Sequence, residues 1–210
     1  MKILVVLGHP SRESFNFAIA ETAVQTLHDQ GHEVYYHDLY REQFDSALPK
    51  EEILKSAEID PVVAGYCREL ALADGVIIVH PNWWGQPPAI LKGWIDRVFR
   101  PGVAYEFLEH DSGEGVPVGL LKARTALVLN TTNTQIEREL DVFGDPLETI
   151  WKNCIFGLCG VSDFYRKSFG IIVTSTPEQR RFWLNEVRDL VSRCFPGDDA
   201  MPAGDLGSSS

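Results

Sequence analysis

The chain has 210 residues, 44% apolar and 23% charged, which is the make-up of an ordinary soluble globule with one domain and a sizeable core. Acidic residues outnumber basic ones 30 to 19 for a formal charge of −11, so a general nucleic-acid or anionic-membrane surface, which needs a basic face, is disfavoured. No apolar run approaches the roughly 20 residues that span a bilayer, and Met1 to Gly8 is too short for a signal peptide. The four cysteines, Cys67, Cys154, Cys159 and Cys194, lack zinc-site spacing and the density of a secreted scaffold. They are expected to be buried, reduced thiols in a cytoplasmic protein, with no metal site.

Ile3 to Leu7 is a continuous aliphatic run, suited to a parallel strand covered on both faces. A loop from Gly8 to Ser14 follows. Ser14 or Asn16 is placed to cap a helix reaching about Gln30, in which Phe15, Ile19, Ala23 and Leu27 form one apolar stripe, and Gly31 ends it. Glu33 to Leu39 reads as a second, more polar strand near an edge. Phe44 to Pro61 shows no stripe and is expected to be irregular, with one helical turn at most. A helix from about Val62 to Ala73 then precedes the apolar run Gly75 to Val79.

That third strand feeds an aromatic loop, His80-Pro81-Asn82-Trp83-Trp84-Gly85, and then a helix from Pro88 to Arg100. Pro101 to Lys122, rich in glycine, predicts a long loop or hairpin. Thr125 to Asn130 is a fourth strand, with Thr131 to Thr134 at its carboxyl end. A polar stretch to Gly144 leads to a helix from about Pro146 to Leu158, a fifth strand from Val161 to Phe169 and a last helix from Pro177 to Cys194. Residues 1–195 thus read as a single α/β domain with a doubly wound parallel sheet, and 196–210 as a disordered tail.

Three loops leave the carboxyl ends of strands, where open α/β sheets bind ligands. Gly8 to Ser14 offers hydroxyls, His9, Arg12 and a helix start, which suit a phosphate, but neither a Gly-x-Gly-x-x-Gly turn nor a P-loop. Ordinary N-capping explains Ser11 and Ser14 equally well. Trp83 and Trp84 offer flat apolar walls; adjacent residues point in opposite directions, so at most one indole is expected in the core. Thr131 to Thr134 supplies donors for carbonyl oxygens. Phosphate at one end, an aromatic wall and donors for a heteroaromatic edge describe a flavin nucleotide.

The patterns Gly-His-Pro-x-x-x-Ser-Phe-Asn at Gly8 to Asn16 and Pro-x-x-Trp-x-x-x-Pro-Ala-Ile-Leu-Lys-Gly-Trp-Ile-Asp-Arg-Val-Phe at Pro81 to Phe99 resemble the flavodoxin-like NAD(P)H:quinone oxidoreductases, the DT-diaphorase-type enzymes and their bacterial relatives. The resemblance runs from about Lys2 to Arg181. It implies a flavodoxin-like five-stranded sheet with helices on both faces, a homodimer, and bound FMN or FAD reduced by NAD(P)H. It also implies that His9, Ser14, Phe15 and Asn16 meet the phosphate and ribityl chain. Pro81, Asn82, Trp83, Trp84 and Gly85 would line the ring, Thr131 to Thr134 would donate to its pyrimidine edge, and Arg181 would lie near the outer part of the cofactor. Tyr105 and Phe107 would face a quinone or other flat acceptor.

The sequence departs from the family at three places. The family's Thr-Thr-Gly-Gly loop is Thr131-Thr132-Asn133-Thr134 here. The Tyr and His that assist charge stabilisation in the mammalian enzymes align with Glu137 and Phe143, which cannot play those parts, so the backbone N–H groups of Thr132, Asn133 and Thr134 are expected to do so. Two other readings stay open on sequence grounds: a non-catalytic electron carrier or regulatory subunit of an ion-efflux system, and a flavin-free interaction domain.

Overall fold

The computed structural model describes residues 1–108, 115 and 117–197. Its elements in chain order are β1 (Lys2–Leu7), α1 (Phe15–Asp29), β2 (Glu33–Asp38), α2 (Pro61–Leu72), β3 (Gly75–Pro81), α3 (Ala89–Val98), β4 (Tyr105–Glu106), β5 (Val118–Gly119), β6 (Thr125–Thr131), α4 (Ile136–Asp141), α5 (Pro146–Glu148), β7 (Asp163–Phe169) and α6 (Pro177–Cys194). A π-helical stretch, Thr149–Gly157, continues α5. Five strands form one parallel sheet in the order β2-β1-β3-β6-β7.

The aliphatic runs explain the central strands. Along β1 and β3, alternate side chains enter two separate cores: Leu4, Val6, Val76 and Ile78 face α2 and α3, while Ile3, Val5, Leu7, Ile77 and Val79 face α1 and α6. All seven residues of β3 are buried. β2 and β7 are the sheet edges and are accordingly more polar and partly exposed. In α1 the stripe Phe15, Ile19, Ala23 and Leu27 packs inward, and Ser14 caps the helix by accepting from the Phe17 N–H at 3.1 Å.

Glycine 93 in α3 shows how a helix can admit a neighbouring loop. A Cβ there would sit 2.1 Å from the Ser46 carbonyl oxygen, so only glycine lets this backbone rest on the helix. The same approach brings the Asp45 carbonyl to Arg97, which donates to it at 2.7 Å and pairs with buried Glu52 at 2.7 and 3.0 Å.

Three sequence expectations need amendment. The polar stretch before Gly144 carries a helix, α4, which no apolar stripe marks, since only its Glu139 is buried. The fifth strand begins at Asp163 rather than Val161. Phe44 to Pro61 is irregular as expected, with a single 3-10 turn, Lys50–Glu52, tied down by the Glu52–Arg97 pair. Of the cysteines, Cys67 and Cys159 are buried, but Cys154 is exposed, since the π-helical stretch turns it to solvent. The Pro101 to Lys122 segment does form a hairpin, β4 against β5, although 109–114 and 116 lie outside the described residues. The tail beyond Gly197 also lies outside them. No helix among the described residues is long and apolar enough to cross a membrane.

Candidate active site

The chain runs from β1 outward to β2 and then returns to lay β3 on the other side of β1, so the connections on either side of β1 diverge at its carboxyl end. Such a switch point leaves a crevice. Here it is a cavity of about 350 Å³, walled by His9, Glu13, Ser14, Phe15, Asn16, Pro81, Asn82, Trp83, Thr131, Thr132, Asn133, Thr134, Ile172 and Arg180. Loops 74 and 123 residues apart in sequence thereby meet at one place, as the strand-end reading expects.

On the β1 side, His9 Nδ1 lies 3.0 Å from the Ser11 N–H and 3.2 Å from the Ser11 carbonyl, a contact for either tautomer that holds the ring in place. Burial lowers the His9 pKa, so the ring is neutral at pH 7. The Ser14 hydroxyl is engaged by the Phe17 N–H, which confirms its capping role. Asn16 is 3% exposed and donates from Nδ2 to Thr131 Oγ1 at 2.8 Å, while its Oδ1 is buried with no partner. An orphaned acceptor on a residue that lines the cavity is open to a donor from a ligand, such as a polyol hydroxyl.

On the β3 side, the Trp83 and Gln86 backbones exchange hydrogen bonds at 3.2 and 3.0 Å, with Trp84 at φ 60° and Gly85 at φ 71° between them. This is a two-residue turn of type I′. Glycine suits the second position, where a Cβ would meet Pro146 at 2.7 Å. Tryptophan at the first is unusual, costing about 1–2 kcal/mol for an L-residue in the left-handed region. Trp84 is fully exposed and Trp83 is 43% exposed, its ring 6.1 Å from His9. Neither indole is a core residue. Asn82 holds the turn by accepting from the Gly85 N–H at 2.9 Å.

On the β6 side the expected donors are only partly free. The Thr132 N–H is bonded to the Phe169 carbonyl at 2.9 Å, and the Thr134 N–H to its neighbour's Thr132 Oγ1 at 3.0 Å. Both are taken because the loop must join β7 and close its own turn. The Asn133 side chain is likewise drawn away, accepting from the Val173 N–H at 3.0 Å. Of the three N–H groups expected to serve a ligand, only that of Asn133 has no partner among the described residues.

A family model described as a flavodoxin-like fold matches residues 1–181. A protein of Haemophilus influenzae named as an uncharacterized NAD(P)H oxidoreductase is 32% identical over 177 residues, 82% of this chain and 85% of that protein. The mouse ribosyldihydronicotinamide dehydrogenase [quinone] is 31% identical over 205 residues, covering 85% of this chain and 86% of its own. The chain belongs to the flavodoxin-like NAD(P)H:quinone oxidoreductase family. Among solved structures, the NAD(P)H:quinone oxidoreductase of Methanothermobacter marburgensis superposes with a TM-score of 0.75 at 27% identity, covering 91% of this chain and 95% of that one. The Penicillium crustosum relative, a ribosyldihydronicotinamide dehydrogenase-like protein, is 33% identical, and the match spans 57% of its length.

Against the family pattern, the cation at the cleft is displaced by one residue. Arg180 lines the cavity, donating to Ser175 Oγ at 2.8 Å and to the Ile172 carbonyl at 3.1 Å, with its guanidinium 5.9 Å from the Phe15 ring centroid. Arg181, the residue that aligned with the family arginine, is turned to solvent and pairs with Glu178 at 2.7 Å. One step along a helix rotates a side chain by about 100°, enough to exchange cleft for water.

Tyr105 and Phe107 are not brought to the cavity. Their rings meet each other at 5.9 Å on the β4–β5 hairpin, which rests on the Cys159–Gly160 turn leading into β7, at the amino edge of the sheet. Glu137 lines a cleft of about 990 Å³ with Arg166 and Lys167, which borders the first cavity at Thr132 and Thr134. Phe143 and Trp84 share another of about 510 Å³ with Asn82, Gly85, Thr134, Glu139 and Pro146, continuous with the first cavity through Asn82 and Thr134.

Beneath these loops lies a polar network that sequence reasoning missed. His80, fully buried at the end of β3, accepts at Nε2 from Asn130 at 2.8 Å and from Trp151 Nε1 at 2.9 Å, and donates from Nδ1 to the Pro81 carbonyl. Burial lowers its pKa to about 4, with the Arg166 charge adding to the effect, so the ring is neutral. Asn130 in turn accepts from Arg166, which pairs with Asp145 and Glu148. This ties the ends of β3, β6 and β7 to α5. A histidine inside an otherwise aliphatic strand was the signal available.

Proposed function

We propose that the protein is a flavin-dependent NAD(P)H oxidoreductase that passes two electrons to a quinone or similar flat acceptor. The observation that carries this is the convergence of three strand-end loops on one cavity whose residues fit a flavin nucleotide. The orphaned Asn16 Oδ1 suits a ribityl hydroxyl, and the His9 ring and the α1 amino end suit a phosphate. Arg180 lends positive charge, and the Trp84 turn presents a bare aromatic face. When bound, the flavin supplies the hydride chemistry.

The chain's own residues position and polarise. Asn82, Gly85 and the rigid I′ turn fix the indole wall, and the Asn133 N–H and the Thr134 hydroxyl are the donors left for the electron-rich edge. The His80 network, with its ring neutral, ties the three strand ends together beneath the loops. A homodimer in the cytoplasm is the assembly this reading favours. It gives Tyr105 and Phe107, remote from their own cavity, a partner's cleft to face.

Purified protein is expected to be yellow, and anaerobic NADH or NADPH to bleach the visible absorbance of the oxidised flavin. Steady-state NAD(P)H oxidation with a quinone, with parallel double-reciprocal lines, separates an enzyme from an electron carrier. A colourless protein that takes up neither FMN nor FAD overturns the reading.

A further inference from the structure

Away from the strand-end loops, the turn that follows β2 and the helix α2 enclose a cavity of about 520 Å³ at the edge of the sheet. His37 of β2 lines it with both ring nitrogens on carboxylates. Nδ1 is 3.1 Å from each oxygen of Glu42, in the turn, and Nε2 is bonded to Glu69, in α2. Tyr66, on α2 as well, donates its hydroxyl to Glu42 and sets its ring 4.4 Å from the imidazole. Ionised carboxylates only accept, and a neutral imidazole has one N–H, so neutral His37 would turn a bare nitrogen on one of them; the imidazolium satisfies both. The other charged groups on this cavity are Asp45 and Asp60, which add negative charge, and Arg97, which is held by Glu52 and Asp45. Within the sheet, the β1 neighbour of His37 is aliphatic Val6, and Asp38 is engaged by the Arg41 N–H at 3.2 Å.

We propose that His37 is a proton-dependent clasp: as the imidazolium it ties Glu42 to Glu69 and holds the turn after β2 against α2, and when its proton passes to water the turn opens. Gln43, next to Glu42, sits at φ 53°, a left-handed conformation disfavoured for an L-residue, so the closed turn is held against backbone strain. Further along, the Glu52–Arg97 pair anchors the chain, which confines the opening to the turn. Burial opposes the charge on His37, but the hydrogen bonds and charges of Glu42 and Glu69 outweigh it and raise the pKa above the ordinary 6.5. Burial opposes the Glu42 charge too, and His37 and Tyr66 overcome it and lower that pKa. For a base with a raised folded pKa, the stabilisation is complete below about 6.5 and is lost as pH rises through the raised value. The Glu42 contribution is lost only at the acid end, as pH falls through its lowered value.

Nitrogen NMR of the intact protein tests the charge state: both His37 ring nitrogens are expected to carry protons at pH 7, with a titration midpoint above 6.5. Hydrogen exchange tests the clasp through the amides of Glu42, Gln43 and Phe44, which are bonded to the carbonyls of Asp38, Tyr40 and Leu39. Corrected for the intrinsic rate, their protection is expected to fall by up to about tenfold per pH unit above the midpoint, while the amides of β1 and β3 stay protected. His37→Gln is expected to show the open level of protection in the turn at every pH, and Glu69→Gln to lower the His37 midpoint. One bare His37 ring nitrogen at pH 7, turn protection that does not change with pH, or a pH dependence that survives His37→Gln overturns the proposal. The parent's nitrogen spectrum and exchange profile decide the matter without any variant having to fold.

Discussion

Removing the buried imidazole at His80 gives a stability difference that depends on pH in a calculable way. The folded ring stays neutral down to about pH 4, whereas in the unfolded chain it takes up a proton below about 6.5. The folded pKa of this base is depressed, so its favourable contribution is present above 6.5 and is lost as pH falls from 6.5 towards 4. A gap of about 2.5 pH units at about 1.36 kcal/mol each amounts to about 3 kcal/mol. For a chain of this size that corresponds to about 6–12 °C in Tm. His80→Gln cannot titrate. At pH 7.5 it is expected to be less stable than the parent by about 2–4 kcal/mol, having disturbed the bonds to Asn130 and Trp151. Urea unfolding of both proteins between pH 7.5 and 4 is expected to show this gap shrinking by about 3 kcal/mol. Because every other group is common to both proteins, their titrations cancel. A gap that stays constant across the range refutes the neutral buried His80.

Arg97→Met strands the Glu52 carboxylate and is expected to cost about 3–5 kcal/mol in chemical denaturation, most of it recovered in the Arg97→Met, Glu52→Leu double variant. Arg97 holds the Glu52 carboxyl below its ordinary pKa, so the parent's advantage over the double variant is present at neutral pH and lost as pH falls through that lowered value. Trp84→Ala is expected to change thermal stability by no more than about 0.5 kcal/mol, since the indole is fully exposed, while flavin retention on dialysis falls about tenfold; equal losses of both contradict the aromatic-wall role. With a chromogenic disulfide reagent, Cys154 is expected to react at once and Cys67 and Cys159 only on unfolding, as burial raises both thiols, Cys159 to about 11.

The sheet was legible because burial on both faces leaves a local signature: Ile3 to Leu7, Gly75 to Val79 and Ala126 to Leu129 are apolar without interruption. The strand-end loops followed from that order, and with them most of the cavity wall. What escaped was set by long-range contact or by rotation. Glu52 finds Arg97 across 45 residues, and nothing near Glu52 announces it. The side chains of Arg180 and Arg181 differ only in which way α6 turns them. The loss of the Thr132 and Thr134 N–H groups to Phe169 and Thr132 Oγ1 depends on how the loop joins β7, which composition does not encode. Helix α4 hid because five of its six residues are not buried.

The turn that carries Trp84 also makes the protein an optical sensor of its own cleft. Trp94 and Trp151 are sealed in the core, Trp151 with its Nε1–H on His80, whereas the Trp84 indole is wholly in water on a backbone too constrained to swing away. Its emission lies at the red edge and is open to iodide. A flat ligand covering that face changes red-edge intensity and iodide access together and leaves the core signal untouched, so occupancy can be followed in the unmodified chain without a label.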